Sequence, residues 1–280
     1  MNLNLVSFLS ISIFFLTMAT SATSEPVLNK IQRTGVLNVA IREDAPPFGY
    51  LDANNNQQGY CLDFFALLKQ QLTEKLERNT LSTKLFKSTP ANRFTLVSNT
   101  VDLECGPNTI RSDIPKNISF STGFFVTGTQ FLIKRENKNR LDLKTDLDGA
   151  KLGVISNTTT ADFIAKKYPG ATIQKYAGLT ARTRGIQAVE QNKIDAMISD
   201  GILLRAVAQQ QELSSKQYPL VPKIPLTCDR YGMIIKGNDP QWRDFVDSVI
   251  NSPEAASLSN AWFGQLYNYT LNVKDFCQQS

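Results

Sequence analysis

Apolar residues in this chain fall into short runs that alternate between two spacings. Residues 37–41 (LNVAI) read as a buried strand behind a turn at Gly35. The stretch 45–50 (APPFGY) is not regular structure, because each proline fixes φ and removes a backbone donor. The polar run 52–59 (DANNNQQG) predicts a turn, and with it a hairpin. Leu62, Phe65, Ala66, Leu68, Leu72 and Leu76 then recur at helical spacing. A strand at 83–86, a short helix at 92–97 and a strand at 101–103 follow, and residues 126–134 (VTGTQFLIK) form one long extended run. The alternation restarts with strand 151–155, helix 158–167, strand 172–176, helix 183–191, strand 196–199 and helix 202–211. Residues 231–236 (YGMIIK) are extended again, and 242–250 and 255–263 are helical.

Strand and helix alternating in this way predict α/β layers on a mostly parallel sheet. Because the alternation occurs twice, two α/β lobes are expected. The first takes residues 25–127 and 230–280, the second 128–229. The chain leaves the first lobe once and returns once, so two crossing strands form a hinge with a cleft between the lobes.

Residues 1–24 stand apart. Residues 5–18 (LVSFLSISIFFLTM) are almost wholly apolar and small residues follow, the pattern of a secretory signal peptide cleaved after Ser21 or Ser24. The run is short for a membrane span, which needs roughly 20 apolar residues. Its flank carries no Lys or Arg, and an uncleaved anchor is the alternative. The net charge of +5 is scattered along the 280 residues, which argues against a nucleic-acid stripe or a polybasic membrane segment. The chain has no histidine. That removes the commonest general base, the commonest zinc ligand and every Ser-His or Cys-His pair. Cys61, Cys105, Cys228 and Cys277 contain no C-x-x-C spacing, so two disulfides are expected in an exported chain rather than a metal site. Three pairings are open at this point. Neither cofactor nor metal is expected.

Several stretches together resemble a known family. They are Ile41-Arg42-Glu43-Asp44 with Pro46-Pro47-Phe48, Gly59-Tyr60, Asn92-Arg93-Phe94, and 101–106 (VDLECG) followed by Asn108-Thr109. Further along come 126–129 (VTGT), 156–159 (SNTT), Asp195-Ala196, Asp200, Tyr231-Gly232-Met233 and Asp239-Pro240. Their order and spacing resemble the family 3 periplasmic solute-binding proteins of amino acid ABC transporters, of the glutamate/aspartate-binding type. The resemblance implies a type II periplasmic-binding fold that closes over one amino acid. The protein would be a periplasmic monomer that delivers its small-molecule amino acid ligand to a membrane permease.

The resemblance also implies site residues. Asp200 follows a strand end, where a carboxylate is placed to hold an ammonium group, and the family uses an acid there for the ligand amine. Asn108 and Thr109 follow a strand end too, and a helix opening at Thr109 would offer free N–H groups to a carboxylate. The family's carboxylate-gripping arginine aligns with Ile114, so Arg111, one helical turn earlier, is expected to replace it. Thr158 and Thr159 sit at a strand-to-helix turn, where they can cap the helix and donate to the ligand. Phe48, stiffened by two prolines, would wall the cleft. Arg42, Arg93 and Arg182 match polar or cationic positions of acidic amino acid binders. Cys61 opens a helix after Gly59-Tyr60 and Cys105 ends a neighbouring first-lobe strand, so the two are expected to pair at the edge of the lobe near the cleft rim. Cys228 is expected to pair with Cys277, fastening the C-terminal tail to the hinge much as a related bridge does in ionotropic glutamate receptor ligand domains. Two rivals remain at this point: a dehydratase of cyclohexadienyl or arogenate substrates using Glu43, Glu104 or Asp200, and a sensor domain working with a partner.

Overall fold

The computed structural model describes residues 25–264 together with Val273, Cys277 and Gln278, so the expected signal peptide lies outside the described residues. The first lobe begins with α1 (Val27–Thr34), β1 (Val36–Arg42), and the short strands β2 (Asp44–Ala45), β3 (Gly49–Leu51) and β4 (Gln57–Gln58). It continues through α2 (Tyr60–Lys75), β5 (Ser82–Ser88), α3 (Arg93–Asn99), β6 (Leu103–Cys105) and β7 (Ile118–Thr127). The second lobe holds β8 (Thr129–Ile133), a 3-10 helix at Arg135–Arg140, β9 (Lys151–Ile155), α4 (Thr159–Lys167), β10 (Thr172–Tyr176), α5 (Ala181–Glu190), β11 (Ala196–Asp200), α6 (Gly201–Gln210) and β12 (Leu220–Val221). The chain returns through β13 (Asp229–Lys236) to α7 (Pro240–Ile250) and α8 (Pro253–Phe263).

Each lobe is built on a five-stranded sheet, in the orders β5-β1-β6-β13-β7 and β10-β9-β11-β8-β12. Three strands of each sheet run parallel, β5, β1 and β6 in one and β10, β9 and β11 in the other. One strand in each sheet, β13 in the first and β8 in the second, runs the other way and pairs antiparallel on both sides, so β7 and β12 at the edge run with the parallel three and both sheets are mixed. The extended run 126–134 is broken at Gly128, where the chain passes from one sheet to the other. A Cβ on Gly128 would lie 1.9 Å from the carbonyl oxygen of Thr227 on the return crossing, so only glycine allows the two crossings to pack.

Both faces of each sheet are covered, and local chemistry fixes the ends of the covering helices. Thr158 caps α4 by accepting from the Ala161 N–H at 3.2 Å. Asp239-Pro240 and Ser252-Pro253 start α7 and α8, with Asp239 accepting from Trp242 N–H at 3.0 Å and Ser252 from Ala255 N–H at 3.2 Å. Gly59 (φ 126°) lets the chain enter α2 where a Cβ would meet the Phe48 carbonyl oxygen at 2.4 Å. Helix α1 carries its apolar residues Val27 and Ile31 inward, but the pattern did not announce it, because eight residues hold too few of them.

Both expected disulfides are present, Cys61–Cys105 with Cα atoms 5.6 Å apart and Cys228–Cys277 at 5.4 Å. Cys61 and Cys105 are fully buried in the first lobe's core, not at its edge, and join α2 to the end of β6.

Candidate functional site

The parallel strands of both sheets end toward the gap between the lobes. Chain ends of parallel strands are the usual place for a ligand, because loops and helix starts converge there without backbone partners. Arg42 closes β1, Arg93 follows β5, and Thr109 follows β6. From the facing lobe come Thr158, Thr159 and Thr160 after β9, Arg182 on α5, and Ser199 and Asp200 closing β11. These residues line one nearly closed compartment with a cavity volume of about 20 Å³.

Asp200 is its buried anion, 7% exposed. It accepts a hydrogen bond from the Thr160 hydroxyl at 3.1 Å and another from the Tyr231 hydroxyl. Burial raises its pKa, and the hydrogen bonds with the charges of Arg182 and Arg93 work the other way. Arg42 is spoken for: its guanidinium grips Asp44 by a fork, with Nε to Oδ1 at 2.9 Å and Nη2 to Oδ2 at 2.8 Å. Arg182 reaches across the gap and donates from Nη1 to the Asp44 carbonyl oxygen at 2.9 Å, while its Nε–H finds no acceptor among the described residues. Arg93 is 6% exposed and its Nε–H also lacks an acceptor. Burial pushes the Arg93 guanidinium down to about 10, with Glu104 opposing. Behind it, buried Glu104 accepts from the Ser88 hydroxyl at 2.7 Å and from the Asn108 side-chain amide. The compartment thus offers one carboxylate and two incompletely satisfied guanidinium groups, a set suited to an ammonium ion beside an anion.

Arg42, Arg93, Thr109, Thr158, Thr159, Arg182 and Asp200 are brought together here. Phe48 is not. It is fully buried in the first lobe's core, edge-on to Phe124, Phe125 and Tyr231, because the tight entry at Gly59 folds its loop inward. Asn108 is buried too and spends its amide on Glu104. No helix opens at Thr109. Pro107 and Pro115 flank an irregular segment in which Thr109 bridges to Tyr231, and the Ile110 N–H donates to the Arg230 carbonyl at 2.8 Å. Without that helix Arg111 is not turned into the compartment. It lies in an outer continuation of the cleft, 3.5 Å from Asp113.

Asp44, Glu104, Thr160 and Tyr231 were not among the expected ligand-contacting residues. Two of them carried a usable signal. Tyr231 shares a face of β13 with Asp229 by the two-residue period, and Asp44 stands two residues beyond Arg42 on extended backbone.

Asp229, next to the hinge, is 8% exposed and accepts from the Thr227 hydroxyl at 2.5 Å. Its carboxyl is pushed up to about 7, first by burial and then by the charge of Asp200. An unfolded aspartate ionises near ~3.9. Between those values the folded protein keeps a proton that the unfolded chain has lost, so the stability this group confers is full at low pH and falls as pH rises toward 7. The ligand-free protein should therefore melt higher at about pH 5 than at about pH 8, and Asp229→Asn should shrink that difference. An unchanged pH dependence in the variant would contradict this account.

Residues 37–265 match the model of the bacterial extracellular solute-binding proteins, family 3. The chain is 28% identical over 256 residues to the glutamate/aspartate import solute-binding protein of Salmonella typhimurium, covering 89% of this chain and 82% of that one. It is 24% identical over 249 residues to the L-cystine-binding protein TcyJ of Escherichia coli, covering 87% and 88%. Among solved structures it resembles the ancestral amino acid-binding protein AncCDT-1, a precursor of cyclohexadienyl dehydratase, with a TM-score of 0.71 at 20% identity, covering 85% of this chain and 100% of that one. That likeness carries the fold, a type II periplasmic-binding fold of two α/β lobes. The chain belongs to the family 3 bacterial extracellular solute-binding proteins.

Proposed function

We propose that this protein captures a glutamate- or aspartate-like amino acid outside the cytoplasm and hands it, as a periplasmic monomer, to the permease of an ABC transporter. Residues 1–24 act as its export signal. Residues 25–127 with 230–280 close as one lobe against 128–229. The observation that carries the ligand class is Asp200, a buried carboxylate sharing one compartment with the unmatched Nε–H groups of Arg93 and Arg182. In this reading the ligand ammonium pairs with Asp200 and Thr160. Its α-carboxylate meets Arg182 and the start of α4, where Thr159 and Thr160 lie at the positive end of the helix. An anionic side chain then finds Arg93. The relatives named for glutamate and aspartate support the same class. We infer binding rather than catalysis, so prephenate and arogenate should be recovered unchanged.

Calorimetric titration with the twenty amino acids tests the proposal. Glutamate or aspartate should bind with a Kd of about 1 μM or tighter, near 8 kcal/mol of binding free energy. Arginine and cystine should bind at least about 10-fold more weakly. Best binding by arginine or cystine would overturn the ligand class.

A further inference from the structure

We propose that the cleft continues into a distal anion subsite formed by Arg93, Arg111 and Lys175. The preferred ligand is then an α-amino acid whose side chain ends in an anion farther from its ammonium than in glutamate. This rests on the reading that the ammonium is held at Asp200.

Two adjoining compartments lie in the gap between the lobes among the described residues. The inner one holds Asp200, and the outer one is the larger, at about 640 Å³ against about 20 Å³. Pro90 and Arg93 line both, so Arg93 stands in the doorway. Its guanidinium is buried, yet its Nε–H has no acceptor among the described residues, which is costly unless something outside the protein supplies one.

Arg111 deepens the case. The guanidinium carbons of Arg93 and Arg111 lie 5.2 and 5.5 Å from the centre of the Phe94 ring, so two like charges are gathered at one aromatic side chain. Each guanidinium gains from the ring, but they repel one another, and the charge of Arg111 is among the causes that lower the pKa of Arg93. An anion between them would turn that repulsion into two attractions. The carboxylates nearby do not fill the role. Glu104 is held by Ser88 and Asn108, Asp113 is 78% exposed and 3.5 Å from Arg111, and Asp162 is an exposed residue in the first turn of α4. Across the gap, exposed Lys175 adds a third cation to the same compartment. Asp200 and Arg182 already provide for the ammonium and α-carboxylate in the inner compartment. The doorway and outer cations therefore remain for whatever extends outward from the α-carbon, and their chemistry selects a carboxylate or similar anion.

A chain-length series tests this. Aspartate, glutamate, 2-aminoadipate and 2-aminopimelate are titrated calorimetrically into the wild type and into Arg111→Ala. Arg111 is partly exposed and outside the core, so the variant should fold, which a ligand-free melting curve checks. The wild type should bind the longer pair at least about 10-fold more tightly than aspartate. Arg111→Ala should lose about 10-fold toward the longer pair and less than about 3-fold toward aspartate. Affinity that is flat or falls with length would overturn the distal subsite while leaving the amino acid reading intact. So would an Arg111→Ala effect equal for all four. Binding of none of the four would overturn the amino acid reading and this inference with it.

Discussion

Asp200→Asn is expected to weaken binding of the acidic amino acid by at least about thirtyfold while raising the melting temperature of the ligand-free protein. The two effects share one cause. Burial raises the pKa of Asp200, so its charge is costly in the empty cleft and becomes worthwhile only when a cation arrives. Asparagine keeps the size and the oxygen that accepts from Thr160, removes the charge, and sets an amide N–H against the Tyr231 hydroxyl, which can turn to accept from it. Leaving a buried charge without its partner typically costs about 2–5 kcal/mol, which spans roughly 30- to several-thousand-fold in Kd. Calorimetry and a thermal melt on the same preparation read both signs. Affinity within about 3-fold of wild type would remove Asp200 from the ammonium site. Lost affinity with a lowered melting temperature would mean that the variant had damaged the fold.

Trp242→Ala is expected to destabilise the protein by about 3–5 kcal/mol, the usual cost of truncating a fully buried tryptophan. Trp242 is 0% exposed and lies 6.1 Å, centre to centre, from the Phe245 ring. Its indole N–H donates to the Asp102 carbonyl at 2.9 Å, and the Asp102 carboxylate in turn accepts from Lys30 at 2.6 Å and the Asn38 N–H at 2.8 Å. One side chain therefore fastens α7 to the loop entering β6 and, through Asp102, to α1 and β1. Truncation opens a cavity and strands a buried carbonyl. Urea unfolding should show a lower midpoint with a similar slope. Because α7 lies away from the cleft, affinity measured well below the transition should stay within about 3-fold of wild type. A midpoint within error of wild type would mean that the tryptophan is not part of the cooperative core.

Much of this architecture was legible in the chain. Paired strands such as β9 and β11 announce themselves through unbroken apolar runs bounded by polar turns, and α2 through its leucine spacing. Asp200 was legible because its strand is short and ends on a charge. Other features depended on packing that no local pattern encodes. The antiparallel placement of β13 and β7 in the first sheet is a matter of long-range pairing. Phe48 looked like a cleft wall, yet the glycine entry to α2 turns it into the aromatic core. Arg111 looked like the carboxylate grip only on the assumption of a helix that the flanking prolines and the Tyr231 bridge prevent. The hydroxyls that cradle Asp200 come from the opposite lobe and from the first turn of α4, so only the folded chain brings them together.

The tight crossing at Gly128 has a mechanical consequence. Gly201, the residue after Asp200, donates its N–H to the Gly128 carbonyl at 2.9 Å, and Tyr231 stands just past the return crossing. Asp200 and Tyr231 therefore sit almost on the axle about which the lobes turn. Displacement in a rotation grows with distance from the axis, so this pair moves little at any angle of opening, while Arg111 and Lys175 at the rim sweep the longest arcs. An ammonium held at Asp200 is gripped about equally in the open and shut forms and does little to favour either. The torque that shuts the clamshell has to come from groups on the long arm of the lever, whose hold on the ligand exists only when the jaws meet.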